Sequence, residues 1–195
     1  MKNILVIQTA FMGDVILATS LIEKIKICLP EASISMLVRE GNESLLKGHP
    51  FLKEVLVWKK KSGKMKSLIS IIQEVRQRKF DTVINLQRFL SSGLITFFSG
   101  ADEKIGFNKN PLSFTFTHAT THTIGDGSHE VERNAKLIEN WCKGETPRPK
   151  LYPSTSDYES VRSFKEEKYV TMAPASVWMT KQLPVAKWIE MIAKS

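Results

Sequence analysis

Cysteine is almost missing from this chain: Cys28 and Cys142 are the only two in 195 residues. Two cysteines make no disulfide framework and match no metal-ligand spacing, so both read as reduced packing residues in helical patterns. No apolar run approaches the ~20 residues that a membrane span needs. A cleaved leader is lacking as well: Met1-Lys2-Asn3-Ile4 passes straight into a strand-like run, which points to the cytoplasm. The first loop is poor in glycine. It has Gly13 alone, not Gly-x-Gly-x-x-Gly, which makes a nucleotide-dependent dehydrogenase a weak reading.

What is present is an ordinary globular composition, 42% hydrophobic and 25% charged, with a formal net charge of +8. Such an excess of cations favours phosphorylated substrates, anionic lipid or nucleic acid. The densest basic stretch is Lys59, Lys60, Lys61, Lys64 and Lys66. It reads either as a solvated loop or as a patch for an anionic lipid or membrane surface. No exposed aromatics or docking motif accompany it, so nucleic acid is not expected.

Strand and helix patterns alternate, the signature of an α/β fold with a mostly parallel sheet flanked by helices. Strands are expected at residues 3–8, 33–39, 54–58 and 80–87, with short edge strands at 104–107 and 112–118. Helices are expected at 14–29, where Val15, Ala18, Ile22, Ile25 and Leu29 form one stripe, and at 65–78 and 90–99. A further helix should run from a Ser128 cap to about Trp141. Residues 1–145 then form one domain and 146–167 a linker with a connecting helix at 157–167. Residues 168–195 begin a second domain, with a strand at 169–172 and a helix that opens at Pro184. One such unit cannot build a core alone.

Three constellations carry chemistry. Thr9-Ala10-Phe11-Met12-Gly13-Asp14 is a strand-to-helix turn with a carboxylate at the mouth of the sheet, where α/β ligands bind. Gly13 would allow a positive φ and close approach of a ligand. Asp14 is either a helix cap or an acid–base group. Met172 to Pro184 is a stretch of small and hydroxyl residues with Lys181, ahead of a helix N-terminus, which suits either a phosphate or plain solvent. Ser128-His129-Glu130-Val131-Glu132-Arg133-Asn134 places His129 and Arg133 on one helix face, for an acidic or phosphorylated sugar or as plain surface. His118, His122 and His129 could suggest zinc, but the threonines around His122 argue against a helical metal site.

In this order, the three resemble glycosyltransferase family 9, the ADP-heptose:lipopolysaccharide heptosyltransferases. Asn85-Leu86-Gln87-Arg88, Lys104-Ile105-Gly106-Phe107 and Thr180-Lys181-Gln182-Leu183-Pro184 add to the resemblance, although the family commonly has serines before Met12 and Trp where Leu183 stands. The resemblance implies the N-terminal, Rossmann-like half of a GT-B enzyme and the first βα unit of the donor half. It implies an inverting glycosyltransferase moving a heptose or related sugar from an ADP-sugar to a lipopolysaccharide core. Asp14 would be the general base. Lys181, Thr180 and Ser176 would hold the donor diphosphate, and Met12, Gly13, Arg88, His129 and Arg133 the anionic glycolipid acceptor. Asp-x-Asp occurs nowhere, so neither a metal nor another cofactor is expected. Peripheral contact with the inner membrane and self-association through the C-terminal unit are further expectations. The competing class is a non-catalytic α/β module that binds a phosphorylated or sugar ligand.

Overall fold

The computed structural model describes residues 2–60, 63–123, 125–176 and 179–194. The chain separates into two compact units, Met1–Pro153 and Ser154–Ser195.

The first unit is a six-stranded sheet, all parallel. In chain order the strands are β1 (Asn3–Ile7), β2 (Ser33–Arg39), β3 (Leu52–Trp58), β4 (Thr82–Asn85), β5 (Glu103–Phe107) and β6 (His118–Thr120). They lie side by side as β3-β2-β1-β4-β5-β6. Helices cross over between them, as parallel neighbours require: α1 (Met12–Cys28), α2 (Lys64–Gln77) and α3 (Leu90–Phe98), with α4 (Glu130–Lys136) after the last strand. From Ile4 to Ile7 β1 is apolar because both its faces are covered. Ile4 and Val6 pack with Val15, Ala18, Ile22 and Ile25 of α1 and with Ile138, whereas Leu5 and Ile7 pack with Ile71 and Val75 of α2 and Ile95 of α3.

α1 also buries Thr19, Ser20 and Lys24. The segment after α4 explains it, for residues 144–152 run as a strap along this helix. Lys24 Nζ donates to Gly144 O at 2.9 Å, Ser20 Oγ to Pro147 O at 2.5 Å, and Lys150 N–H to Thr19 Oγ1 at 2.9 Å. Tyr152 closes it, its hydroxyl 2.6 Å from Glu23 Oε1.

Several expectations are corrected. Cys28 and Cys142 are not reduced packing residues. They are joined in a disulfide, with Cα atoms 5.7 Å apart, because the end of α1 meets the turns that follow α4. The strand expected at 112–118 does not form before its last residue. The side-chain oxygen of Asn110 accepts the Leu112 N–H at 3.0 Å and turns the chain into a 3₁₀ turn, Ser113–Thr115, before β6 begins at His118. His129, not Ser128, caps α4: its Nδ1 accepts from Val131 N–H at 3.3 Å, while Glu132 reaches back to His129 N–H at 3.0 Å. α4 proper ends at Lys136, and looser turns carry the chain to Trp141.

In the second unit, a Ser154–Asp157 capping box starts helix α5 (Thr155–Ser160) earlier than expected, and a 3₁₀ turn, Ser163–Lys165, follows. Residues 169–172 form no strand. A strand needs a neighbour to pair its backbone, and none of the described strands lies in this unit. Helix α6 (Val185–Lys194) follows Pro184 as expected.

Candidate active site

β1 lies between β2 and β4, so the chain changes direction across the sheet at its C-terminal edge. Ligands bind open α/β sheets at that switch point. A cavity of about 520 Å³ opens there. Gln8, Thr9, Phe11 and Asp14 form one wall, and Arg39 and Lys60 extend it from the ends of β2 and β3. Gln87, Arg88 and Phe89 come from the end of β4, His122 from beyond β6, and Glu130 and Arg133 from α4.

Buried amides fix the floor. Gln8 and Gln87 are almost fully buried and meet side chain to side chain, Gln87 Nε2 donating to Gln8 Oε1. The same Gln8 oxygen accepts the Ala10 N–H at 3.3 Å. Asn42 Nδ2 donates to Ala10 O at 3.0 Å, and Lys60 Nζ to Thr9 O at 3.2 Å. Asn110 Nδ2 donates to the backbone oxygens of Gln87 and Phe89, at 3.0 and 3.1 Å. Groups from β2, β3 and β4 therefore hold the loop that presents Asp14. Buried and satisfied amide networks of this kind define one geometry, since each unmade bond would be costly.

Asp14 is the third residue of α1. Its Oδ2 accepts the Phe11 N–H at 3.2 Å. The carboxylate that reaches back to the start of the helix also lines the cavity wall. Gly13 does not use a positive φ, which corrects the expectation of a left-handed turn. It is helical, and a Cβ there would meet nothing within 4 Å. Met12 beside it is 54% exposed.

The other residues singled out in the sequence are distributed unevenly. Arg88 and Arg133 stand on the cavity wall, Arg133 held by Glu130 Oε2 at 2.7 Å. His129 is not on that wall. It caps α4 and faces a separate groove with Val131, Glu132 and Pro147. Ser176, Thr180 and Lys181 belong to the second unit. There Thr180 and Lys181 are exposed in a 3₁₀ turn, and Gln182 Nε2 donates to Ser176 O at 2.5 Å.

Three wall residues were not anticipated as site residues. Arg39 places its guanidinium 4.6 Å from the Phe11 ring centroid, and its buried Nε has no partner. Lys60 belongs to the basic run read as loop or membrane patch, yet it turns onto Thr9 and stacks 4.4 Å from the Trp58 ring. Desolvation and the adjacent Arg39 lower its pKa. His122 was weighed only as a zinc ligand. Among the described residues no group of three His, Cys, Asp or Glu could hold a metal ion. The three histidines are apart in role: His118 lies 4.0 Å from Glu103, His122 packs edge-on to Phe107, and His129 caps α4. Arg39 and Lys60 do carry a signal in sequence, since both follow strand patterns whose C-terminal ends face the ligand edge.

A doubly covered parallel sheet with a carboxylate loop and a cavity at its switch point is a Rossmann-like domain. The chain belongs to glycosyltransferase family 9 (heptosyltransferase), which residues 68–195 match. Lipopolysaccharide heptosyltransferase 1 of Pseudomonas aeruginosa is 24% identical over 97% of this chain and 56% of its own length. Lipopolysaccharide heptosyltransferase 3 of Escherichia coli is 31% identical over 65% of this chain and 39% of its own. A glycosyl transferase family 9 structure from Veillonella parvula superposes with a TM-score of 0.82 at 18% identity, covering 97% of this chain and 58% of that one. E. coli heptosyltransferase WaaC with ADP gives a TM-score of 0.71 at 18% identity, over 98% and 64%. The chain spans about a third to three-fifths of the curated relatives it matches. No described helix is long and apolar enough to cross a membrane.

Proposed function

We propose that this chain is the acceptor-side part of an inverting glycosyltransferase that moves a heptose or related sugar from an ADP-sugar to a lipopolysaccharide core. The observation that carries this reading is Asp14 on the wall of a cavity that also holds Arg39, Lys60, Arg88 and Arg133. The cations suit an acidic or phosphorylated acceptor, which they would orient by charge-assisted hydrogen bonds. Asp14 would then accept the proton of the attacking hydroxyl as it meets the anomeric carbon from the face opposite the diphosphate.

The leaving diphosphate gains negative charge as the bond breaks. Lys181, with Thr180 and Ser176, would meet it directly, which is the kind of preorganised stabilisation that lowers such barriers. The solved E. coli WaaC complexes, with ADP and with ADP-2-deoxy-2-fluoro heptose, support an adenosine diphosphate sugar as donor. With direct donors in place and no Asp-x-Asp in the sequence, transfer should need neither a metal nor another cofactor. The domain reading follows from the same proposal: residues 1–145 serve the acceptor, 146–167 connect, and 168–195 begin the donor side.

The test is a donor screen on a polypeptide that continues this chain to the length of its relatives. ADP-, GDP- and UDP-sugars are offered with a lipopolysaccharide core acceptor, with and without EDTA. Transfer from an ADP-sugar that survives EDTA is expected. No transfer from any donor, with sugar phosphates still bound, would leave the non-catalytic binding module.

A further inference from the structure

His122 differs in kind from the other polar groups around the Asp14 cavity. Its backbone N–H donates to Asn108 Oδ1 at 3.2 Å, which fixes where the chain leaves β6. Its ring packs edge-on to Phe107, centroids 4.6 Å apart, and the residue is only 5% exposed. The ring lines the cavity, and its Nδ1 is buried with no hydrogen-bond partner. Buried polar atoms in folded proteins are nearly always paired, and an orphan at a cavity wall points to a ligand.

The neighbouring groups show what kind. Arg39, Lys60, Arg88 and Arg133 offer donors only. They match an acidic group and cannot accept the proton of a hydroxyl. Asp14 on the same wall is assigned the attacking hydroxyl, and Glu130 holds Arg133 through Oε2 at 2.7 Å while its Oε1 can also accept. A neutral imidazole carries one donor and one acceptor, and a hydroxyl likewise both donates and accepts. Burial, with the charges of Arg88, Arg133 and Lys109, lowers the His122 pKa against the opposing pull of Glu130, which favours the neutral ring.

We propose that His122 is a binding residue for a sugar hydroxyl, engaging it while the cations of the same cavity hold an acidic group of the same molecule. This rests on the reading of the cavity as the acceptor site and narrows it to an acid-bearing sugar read at two points. Charge alone would admit any small anion. The imidazole makes the site prefer one that carries a correctly placed hydroxyl.

The 195-residue chain is titrated with inorganic phosphate and with glucose, mannose and galactose 6-phosphates. Calorimetry gives affinities, and the ¹⁵N shifts of the His122 ring report contact. At least one hexose phosphate should bind about three- to tenfold tighter than inorganic phosphate, the span of one neutral hydrogen bond. It alone should move the ring-nitrogen shifts. His122→Phe keeps the edge contact with Phe107 and should erase that preference without changing inorganic phosphate affinity, while His122→Gln should restore part of it. Should His122→Phe fail to fold, the ring shifts of the unaltered chain decide. No preference for any hexose phosphate, or a preference that survives in His122→Phe, overturns the proposal. An absence of glycosyl transfer in the donor screen would sink the catalytic reading and leave this titration standing on its own result.

Discussion

The ammonium of Lys60 lies 3.2 Å from the backbone oxygen of Thr9 and 3.4 Å from its hydroxyl. A lysine from the end of β3 thereby braces the loop of β1 that leads into Asp14, and it does so on the wall of the cavity. One side chain serves both shape and charge. Lys60→Met should lower the affinity for inorganic phosphate about tenfold or more, the size of a hydrogen bond to a charged group. Amide exchange at Ala10 and Phe11 should also quicken. Calorimetry and exchange on the same sample check both effects. Unchanged phosphate affinity would reduce Lys60 to a brace.

Lys64 and Lys66 share the basic run with Lys60 but stay exposed at the start of α2. They carry the membrane-contact expectation, and Lys60 does not. Replacing both with Ala should weaken adsorption to phosphatidylglycerol-containing vesicles by about thirtyfold, at ~1 kcal/mol per lysine near an anionic surface. The loss should shrink as salt rises, because such attraction is screened. Phosphate binding should be unaffected. Vesicle sedimentation measures it, and equal adsorption of both proteins would return Lys64 and Lys66 to a solvated surface.

The Cys28–Cys142 bond closes a long loop across α1, the sheet and α4. A cross-link over so many residues typically contributes about 2–5 kcal/mol by restricting the unfolded chain. Reduction should lower Tm by roughly 5–15 °C, at about 2–4 °C per kcal/mol for a chain of this size. The Cys28→Ser/Cys142→Ser double variant should melt at the reduced temperature with or without dithiothreitol. Thermal scans under both conditions decide; a reductant-insensitive native chain would mean that the bond contributes nothing.

Two histidines impose a pH dependence. Burial lowers the pKa of His49, opposed by Glu23, and that of His122. In the unfolded chain each returns to an ordinary value near 6.5. Below that pH the unfolded state binds more protons than the folded one, so stability falls as the pH drops. It is fully present above pH 7 and declines from about 6.5 downward. Glu103, held low by Lys2 and Thr82 against its own burial, adds a further loss only below about 4.5. Urea midpoints between pH 8 and 4 should show this two-stage fall, and His122→Phe should flatten part of the upper stage. A midpoint constant from pH 7.5 to 5.5 would contradict it.

How much of this was legible follows from what each signal depends on. β1, α1 and β2 could be read because doubly buried strands and an amphipathic stripe are local patterns. Asp14 could be read because a carboxylate at a strand-to-helix turn is unusual in itself. The strand expected at residues 112–118 failed because one side chain, Asn110, turns the chain there. The strand expected at 169–172 failed because strands need partners, and sequence shows propensity without supplying a neighbour. The disulfide was invisible because it depends on α1 and the turns after α4 meeting in space. The place of Lys60 and His122 on the cavity wall was not legible for one reason: a charge run or a lone histidine shows no direction until the strand ends are placed.

The central claim is that Asp14 takes the proton of the acceptor hydroxyl, and Asp14→Asn tests it most directly. The asparagine oxygen can still accept the Phe11 N–H, as Asp14 Oδ2 does at 3.2 Å. Folding and acceptor binding should therefore be kept. In the polypeptide extended to the length of its relatives, turnover should fall by about 10²–10⁴, the worth of a lost general base. KM for the acceptor should stay within about threefold, as expected when only transition-state assistance is removed. Near-normal turnover by Asp14→Asn would show that the carboxylate is a helix cap and nothing more.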